Sequence, residues 1–272
     1  MIKQAIIPLA GLGTRLLPLT SVFPKELLPI NGKPGLEYII DECVDAGIKE
    51  FIFIISKKKQ SIKKYFYNDV FFKKIIKKKK RDKRILEEYH KIKKYKKMIK
   101  FVFQNSPKGT GDAVLKCKNL IKDKYFLLLL PDDLIIKKNC SKEMINLHNK
   151  SNASIIATKV VNKSTVSRWG ILSIKNKLKH SFQISDVIEK PSQKEAPSNY
   201  AIIGRYILPK TIINEIKNLK PGKGGEIHIT DAIRNLIHKK EKFYGNIFKG
   251  KYLDCGTLKG FINSGIEISK SK

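Results

Sequence analysis

The stretch Gly11-Leu-Gly-Thr-Arg15, followed by Pro24-Lys25-Glu26, collects the residue types that handle phosphate. It comes directly after a short apolar run, Ala5-Ile6-Ile7-Pro8-Leu9. A strand that empties into a glycine turn lets backbone N–H groups approach an oxyanion closely. Arg15 and Lys25 can then neutralise charge on a polyphosphate. Two other phosphate loops are excluded. A P-loop needs four residues between its glycines and then Lys-Ser/Thr, and this loop has neither. A dinucleotide fingerprint needs a third glycine three residues after the second, and that position is Leu16.

Further charged pairs stand at strand ends. Pro131-Asp132-Asp133 follows a leucine run, and Glu189-Lys190 precedes Pro191. Singly, each has a bland reading as a helix cap or an exposed strand end, and so does Asp254 before the final helix.

The elements that must position these residues alternate strand and helix. Continuous apolar runs at 4–9, 51–55, 101–103 and 126–130 read as strands buried on both faces, the habit of parallel sheets. Between the first two, Leu36, Ile39, Ile40, Cys43 and Val44 share one helical face, and Gly47 closes that helix. In such a sheet, ligands sit beyond the carboxyl ends of the strands. The glycine loop, Gln104 and Pro131-Asp132-Asp133 all fall there. After residue 151, strands at 153–161, 170–174, 182–189 and 200–208 lack long helices between them, which predicts a mixed or antiparallel extension. Helices are expected at 227–238 and 257–268. The expected fold is α/β: a doubly wound, mostly parallel, Rossmann-like mixed sheet with helices on both faces and a small β extension. No internal repeat is evident, and one domain over 1–272 is the simplest division.

The formal net charge is +32. Such a charge suits nucleic acid or an anionic surface. Here, however, Lys and Ile are abundant throughout the chain, as A/T-rich codons would produce without selection for binding. The segment 57–100 is the most basic, with Lys77–Lys80, Arg81, Lys93, Lys94, Lys96 and Lys97 interleaved with Tyr65, Phe66, Tyr67, Phe71, Phe72, Tyr89 and Tyr95. That mixture could bind single strands. The helical spacing favours instead an amphipathic helical insertion with aromatics inward and lysines solvated. Nucleic acid is therefore not an expected partner. The four cysteines lack metal-ligand spacing and read as buried thiols in a reducing compartment. His228 reads as a structural histidine. No apolar run reaches the ~20 residues of a membrane span, and the N-terminus lacks a signal-peptide pattern. The expected location is cytoplasmic.

In chain order, the motifs are Gly11-Leu-Gly-Thr-Arg-Leu-Leu-Pro18, Phe23-Pro-Lys-Glu-Leu-Leu-Pro-Ile30, Lys33-Pro34, Gln104 with Lys108-Gly-Thr-Gly-Asp-Ala-Val114, and Leu130-Pro-Asp-Asp133. Then come Trp169-Gly170, Glu189-Lys-Pro191, the block 196–206, Gly225-Glu-Ile-His-Ile-Thr-Asp-Ala-Ile233 and Asp254-Cys-Gly256. The ordered set resembles the sugar-1-phosphate nucleotidyltransferases, and more narrowly the bacterial UTP–glucose-1-phosphate uridylyltransferases. It covers nearly the whole chain. The resemblance implies a nucleotide-diphospho-sugar transferase fold and a reaction of UTP with glucose 1-phosphate to give UDP-glucose and pyrophosphate. In that reaction the sugar phosphate attacks the α-phosphorus in line, with no enzyme nucleophile, and catalysis is placement plus charge stabilisation.

The resemblance also assigns roles. Arg15 would hold the β and γ phosphates, Lys25 would sit near the reacting phosphorus, and Lys190 would clamp the sugar phosphate. Asp132 would bind Mg²⁺, with Asp254 as a second carboxylate. Glu189 would meet the sugar hydroxyls, with Glu226 and the Gly170 backbone as further sugar contacts. Ala10, Gly11, Glu26, Gln104 and Gly109 would read uracil, and Gly13 belongs to the same nucleotide loop. Gln104 offers a donor and an acceptor, which suits a pyrimidine edge. A homo-oligomer is the expected assembly, although the chain ends soon after its last helix, where many relatives continue.

Three positions depart from the family pattern. Asp112 stands where His is usual, adding negative charge near the base pocket. Trp169 replaces Tyr, and Gly35 interrupts the segment after Lys33-Pro34. Two alternatives remain at this point: a thymidylyl- or other sugar-1-phosphate nucleotidyltransferase, and a basic nucleic-acid-binding relative.

Overall fold

A computed structural model describes residues 2–79 and 82–271; Lys80 and Arg81 of the basic segment lie outside them. Strand β1 (Gln4–Pro8) leads through the glycine loop to a small hairpin, β2 (Pro29–Ile30) and β3 (Lys33–Pro34), and then to helix α1 (Gly35–Asp45). Strand β4 (Glu50–Ile55) precedes α2 (Gln60–Tyr67), α3 (Asp69–Lys78) and α4 (Lys83–Met98). Next come β5 (Ile99–Phe103), α5 (Thr110–Lys116), β6 (Tyr125–Leu129), β7 (Asp133–Ile136), α6 (Cys140–Ser151) and β8 (Ser154–Val160). The remainder holds β9 (Gly170–Lys177), β10 (Ser181–Glu189), β11 (Tyr200–Pro209), α7 (Ile212–Lys217), α8 (Ile229–His238), β12 (Phe243–Ile247), β13 (Lys251–Asp254) and α9 (Leu258–Ser269).

Among the described residues, nine strands form one sheet in the order β5-β4-β1-β6-β11-β8-β12-β10-β9. The four strands from the first half run parallel to one another. β11 is antiparallel to both β6 and β8, and β10 is antiparallel to β12 and β9. Strands β8 to β12 therefore continue the parallel half as one mixed sheet, as expected. β12, unread in the sequence, lies inside the sheet and pairs in parallel with β8. At five residues, with Gly245 and Asn246 among them, it lacks a long apolar signature. Gly245 is required there: a Cβ would lie 2.4 Å from the Phe182 ring on β10.

Both faces of the sheet are covered, which explains the continuous apolar runs. Ala5, Ile7, Phe51, Phe53, Ile55, Leu127 and Leu129 pack on one side with α1 and α6. Ile6, Ile52, Ile54, Phe126 and Leu128 pack on the other with α5, α7 and α8. Side chains alternate across a strand, so a run that is apolar at every position needs a helix layer on each side.

The basic segment folds as α2, α3 and α4. Ile62, Phe66, Ile92 and Tyr95 are buried, as the amphipathic reading expects. Phe71 stays 58% exposed and Tyr67 lies partly open. Lys91 and Tyr65 bond the buried Glu37 of α1, and Tyr95 bonds Asp41. These contacts tie the segment to α1. Among the described residues no helix is long and apolar enough to cross a membrane.

Candidate active site

Two cavities adjoin at the carboxyl ends of the parallel strands. The larger, a cleft of about 660 Å³, is lined by Arg15, Asp132, Gly170, Glu189, Lys190, Glu226 and Asp254, together with Asp133, Arg168, Trp169, His228 and Tyr252. The smaller, about 250 Å³, is lined by Ala10, Gly11, Lys25, Glu26, Gln104, Gly109, Asp132 and Glu226. Thirteen of the fourteen residues singled out by sequence thus line one cavity or both. Asp132, Glu226, Thr110 and Leu130 line both, so the two spaces meet there. The fourteenth, Gly13, lines neither. It makes the turn instead: its φ of +70° is left-handed, and its carbonyl accepts from the Thr20 hydroxyl at 2.8 Å.

At the junction, Lys25 Nζ donates to Asp132 Oδ2 at 2.7 Å, and the exposed Arg15 reaches the same oxygen at 3.4 Å. Burial alone would raise the Asp132 pKa. The adjacent Lys25 charge and hydrogen bond, with Arg15 behind them, outweigh it and hold the carboxyl below the usual range. Burial likewise opposes the Lys25 charge, and Asp132 and Glu26 outweigh it, so Lys25 titrates above its ordinary value. Lys25 and Asp132 therefore both stay charged at neutral pH.

Asp254 reaches this junction through a two-stranded ribbon. β13 pairs antiparallel with β7, with Asp254 opposite Asp133, and Cys255 N donates to the Asp132 carbonyl at 2.7 Å. Gly256 measures the gap that results. A Cβ there would lie 2.9 Å from Arg15 Nη2, 3.0 Å from Asp132 Oδ2 and 3.2 Å from Asp254 Oδ1. Two carboxylate oxygens therefore converge on one space that glycine keeps open. Among the described residues no cluster of three or more His, Cys, Asp or Glu could hold a metal. Two hard oxygen donors, with the remaining positions left to water and phosphate, are what Mg²⁺ takes and what a zinc site is not. The residues present fit that ion.

Asp133 was read from the sequence only as the partner of Asp132, with no role of its own. Its Oδ1 accepts from Tyr252 at 2.6 Å and its Oδ2 from Gly204 N at 3.1 Å. Burial, then the neighbouring Asp132 charge, pushes it up to about 6. Arg205 was also missed as a site residue. It is fully buried, bonds Glu42 through Nε and Nη2, and donates to the carbonyls of Leu130, Gly204 and Asp133. It thereby holds both flanks of the loop that carries Asp132. An arginine inside an apolar strand run was the available signal.

The far wall of the larger cleft comes from β9, β10 and α8. Glu189 ends β10 and accepts from Thr230 of α8 at 2.8 Å. A Cβ at Gly170 would lie 3.0 Å from Ile202 and 3.3 Å from Glu189 Oε2, so the backbone there stays open to the cleft. Lys190 adopts a left-handed φ of +46°, a costly choice for a side-chain-bearing residue outside glycine, and its N–H donates to the Trp169 carbonyl at 2.9 Å. Its Nζ lies 3.6 Å from Glu189. His228 is buried in the cleft wall, 3.9 Å from both Glu189 and Glu226. It is thus a cleft residue, as its place beside Glu226 in the 225–233 motif allowed, although it read from the sequence as structural only.

The residues of the smaller cavity are held as firmly. Glu26 is buried and accepts from Lys59 at 2.8 and 2.9 Å, which anchors the start of the basic segment to this cavity. Gly109 has φ +99°, and a Cβ would meet the Ile227 carbonyl oxygen at 2.5 Å. Gly111 N donates to that carbonyl and Ile227 N to Lys108 O, each at 2.8 Å. This clasp sets Glu226 against both cavities.

A family model described as nucleotidyl transferase matches residues 4–271. The chain belongs to the nucleotidyl transferase family. Among its relatives is a UTP–glucose-1-phosphate uridylyltransferase 2 of Staphylococcus saprophyticus, 37% identical over 98% of this chain and 92% of that protein. Two similar structures are a UDP-glucose pyrophosphorylase complexed with UDP-glucose (36% identity, TM-score 0.88, all of both chains) and a UTP-bound UGPase from Acinetobacter baumannii (31% identity, TM-score 0.89, 100% of this chain and 95% of that one). The mixed α/β sheet is the fold of these nucleotidyl transferases.

Proposed function

We propose that this protein transfers the uridylyl group of UTP to glucose 1-phosphate, releasing pyrophosphate. The observation that carries the reading is the meeting of two cavities at Asp132, beside Lys25 and Arg15. UTP would occupy the smaller cavity with its phosphates at the junction, and the sugar phosphate the larger. The relatives' names and bound nucleotides favour that pairing.

In this reading Lys190 holds the sugar phosphate, while Glu189, Glu226 and the Gly170 backbone orient the hexose. Ala10, Gly11, Glu26, Gln104 and Gly109 hold the uracil. A phosphate oxygen of glucose 1-phosphate bonds to the α-phosphorus of UTP as the bond to the bridging oxygen of pyrophosphate breaks. Lys25 offsets the charge on the reacting phosphoryl group, and Arg15 offsets that on the departing pyrophosphate. Lys25 is held by Asp132 before reaction, so little reorganisation of that cation is needed in the transition state. Mg²⁺ held by Asp132 and Asp254 would further neutralise the phosphate oxygens. The reading also includes a homo-oligomer, favoured by the exposed stripe Leu258, Ile262 and Ile266 on α9, spaced one helical turn apart.

Pyrophosphate release tests the reaction. It is expected with UTP, glucose 1-phosphate and Mg²⁺ together, and to fall sharply when either substrate is left out. Equal rates with dTTP would move the assignment to a broader nucleotidyltransferase.

A further inference from the structure

Gln104 is buried and lines the smaller cavity. Its amide nitrogen donates to Asp112 Oδ2 at 2.6 Å and to the Gly109 carbonyl at 3.5 Å. Both partners are acceptors. The reversed amide would set Oε1 against two oxygens, so the orientation is dictated by the neighbours. One amide hydrogen is thereby used by Asp112, and the nitrogen's other neighbour is the Gly109 carbonyl. Among the described residues nothing donates to Gln104 Oε1. The side chain therefore offers the cavity an acceptor. Asp112 itself is buried in the first turn of α5, lines neither cavity, and lies 3.7 Å from Lys116.

We propose that Asp112 is a positioning residue that sets the choice of base. By fixing the Gln104 amide, it makes the cavity select a pyrimidine with a ring N3–H, such as uracil, and reject cytosine, whose N3 carries a lone pair. Acceptor facing acceptor is a repulsive element, and discrimination of this kind excludes the wrong ligand more than it favours the right one. The carboxylate that replaces histidine here thus acts through polarity. Its charge is met by Gln104 and Lys116 rather than presented to the nucleotide. The inference rests on the smaller cavity being the base site.

The test is equilibrium binding of UTP, CTP and N3-methyl-UTP by calorimetry, with turnover measured in parallel. The wild-type protein should bind UTP at least tenfold more tightly than either analogue. Asp112→Asn is nearly isosteric, and its amide can offer Gln104 either a donor or an acceptor. The variant should keep its melting temperature within a few degrees while its UTP-to-CTP affinity ratio falls at least fivefold. An unchanged ratio in the variant, or a wild-type protein indifferent to CTP and N3-methyl-UTP, would overturn the proposal. Selective binding without formation of UDP-glucose would instead defeat the functional reading and leave the role of Asp112 standing.

Discussion

Lys25 and Asp132 share one hydrogen bond at the cavity junction, yet their loss should read differently. Lys25→Ala removes a charge whose value is greatest in the transition state. Its kcat should fall about 10²–10³-fold, the scale of losing one preorganised donor, with a smaller change in KM for UTP. Steady-state kinetics would show this, and a kcat within threefold of wild type would remove Lys25 from the chemistry. Asp132→Asn keeps shape but loses an anionic oxygen from the gap under Gly256. Activity should fall, and the half-saturating Mg²⁺ concentration should rise several-fold in a metal titration. An unchanged Mg²⁺ requirement would place the ion on other ligands. Much of this was legible in the sequence, because glycine loops, lysines and acidic pairs at strand ends are local signals. Glu26 was legible as a residue near the glycine loop, and it lines the smaller cavity, but its clamp by Lys59 was not, since that pair joins distant segments.

The elements explain why the residues converge. Each parallel strand delivers its following loop to one edge of the sheet, so runs at β1, β5 and β6 sufficed to expect a shared site there. The β7–β13 ribbon was not legible. Its two strands are four residues each and nearly 120 positions apart, yet it carries Asp254 to Asp132. Nor was the Arg205–Glu42 pair, which spans β11 and α1 and is wholly buried. Such a pair costs desolvation, so its removal is asymmetric. Arg205→Leu leaves Glu42 uncompensated and three carbonyls short of a donor. It should destabilise the protein by about 3–5 kcal/mol in urea unfolding. The double substitution Arg205→Leu with Glu42→Leu should recover part of that loss. A double variant less stable than the single would show that the pair is more than a mutually satisfied charge.

At the scale of the whole molecule the formal charge of +32 is the dominant feature. The compact state concentrates that charge, and self-repulsion opposes it. Salt shortens the screening length to about 10 Å at 0.1 M. The melting temperature should therefore rise as NaCl increases from 0.02 to about 0.3 M, on the screening argument. Calorimetry at fixed pH would show a flat or falling trend if local ion pairs dominate instead. The same field draws in phosphorylated substrates, so KM for UTP should increase over that range. The sheet's mixed character followed from the apolar runs; the strand β12 inside it did not, because it is short and carries Gly245 and Asn246.

The most direct test uses UTP labelled at the α-phosphorus, with purified protein, Mg²⁺ and glucose 1-phosphate. Direct exchange at the cavity junction requires the label to pass into UDP-glucose, with one pyrophosphate released per nucleotide and none of the label bound covalently to protein. Label retained on the protein without the sugar phosphate, or failure to appear in UDP-glucose, would contradict it.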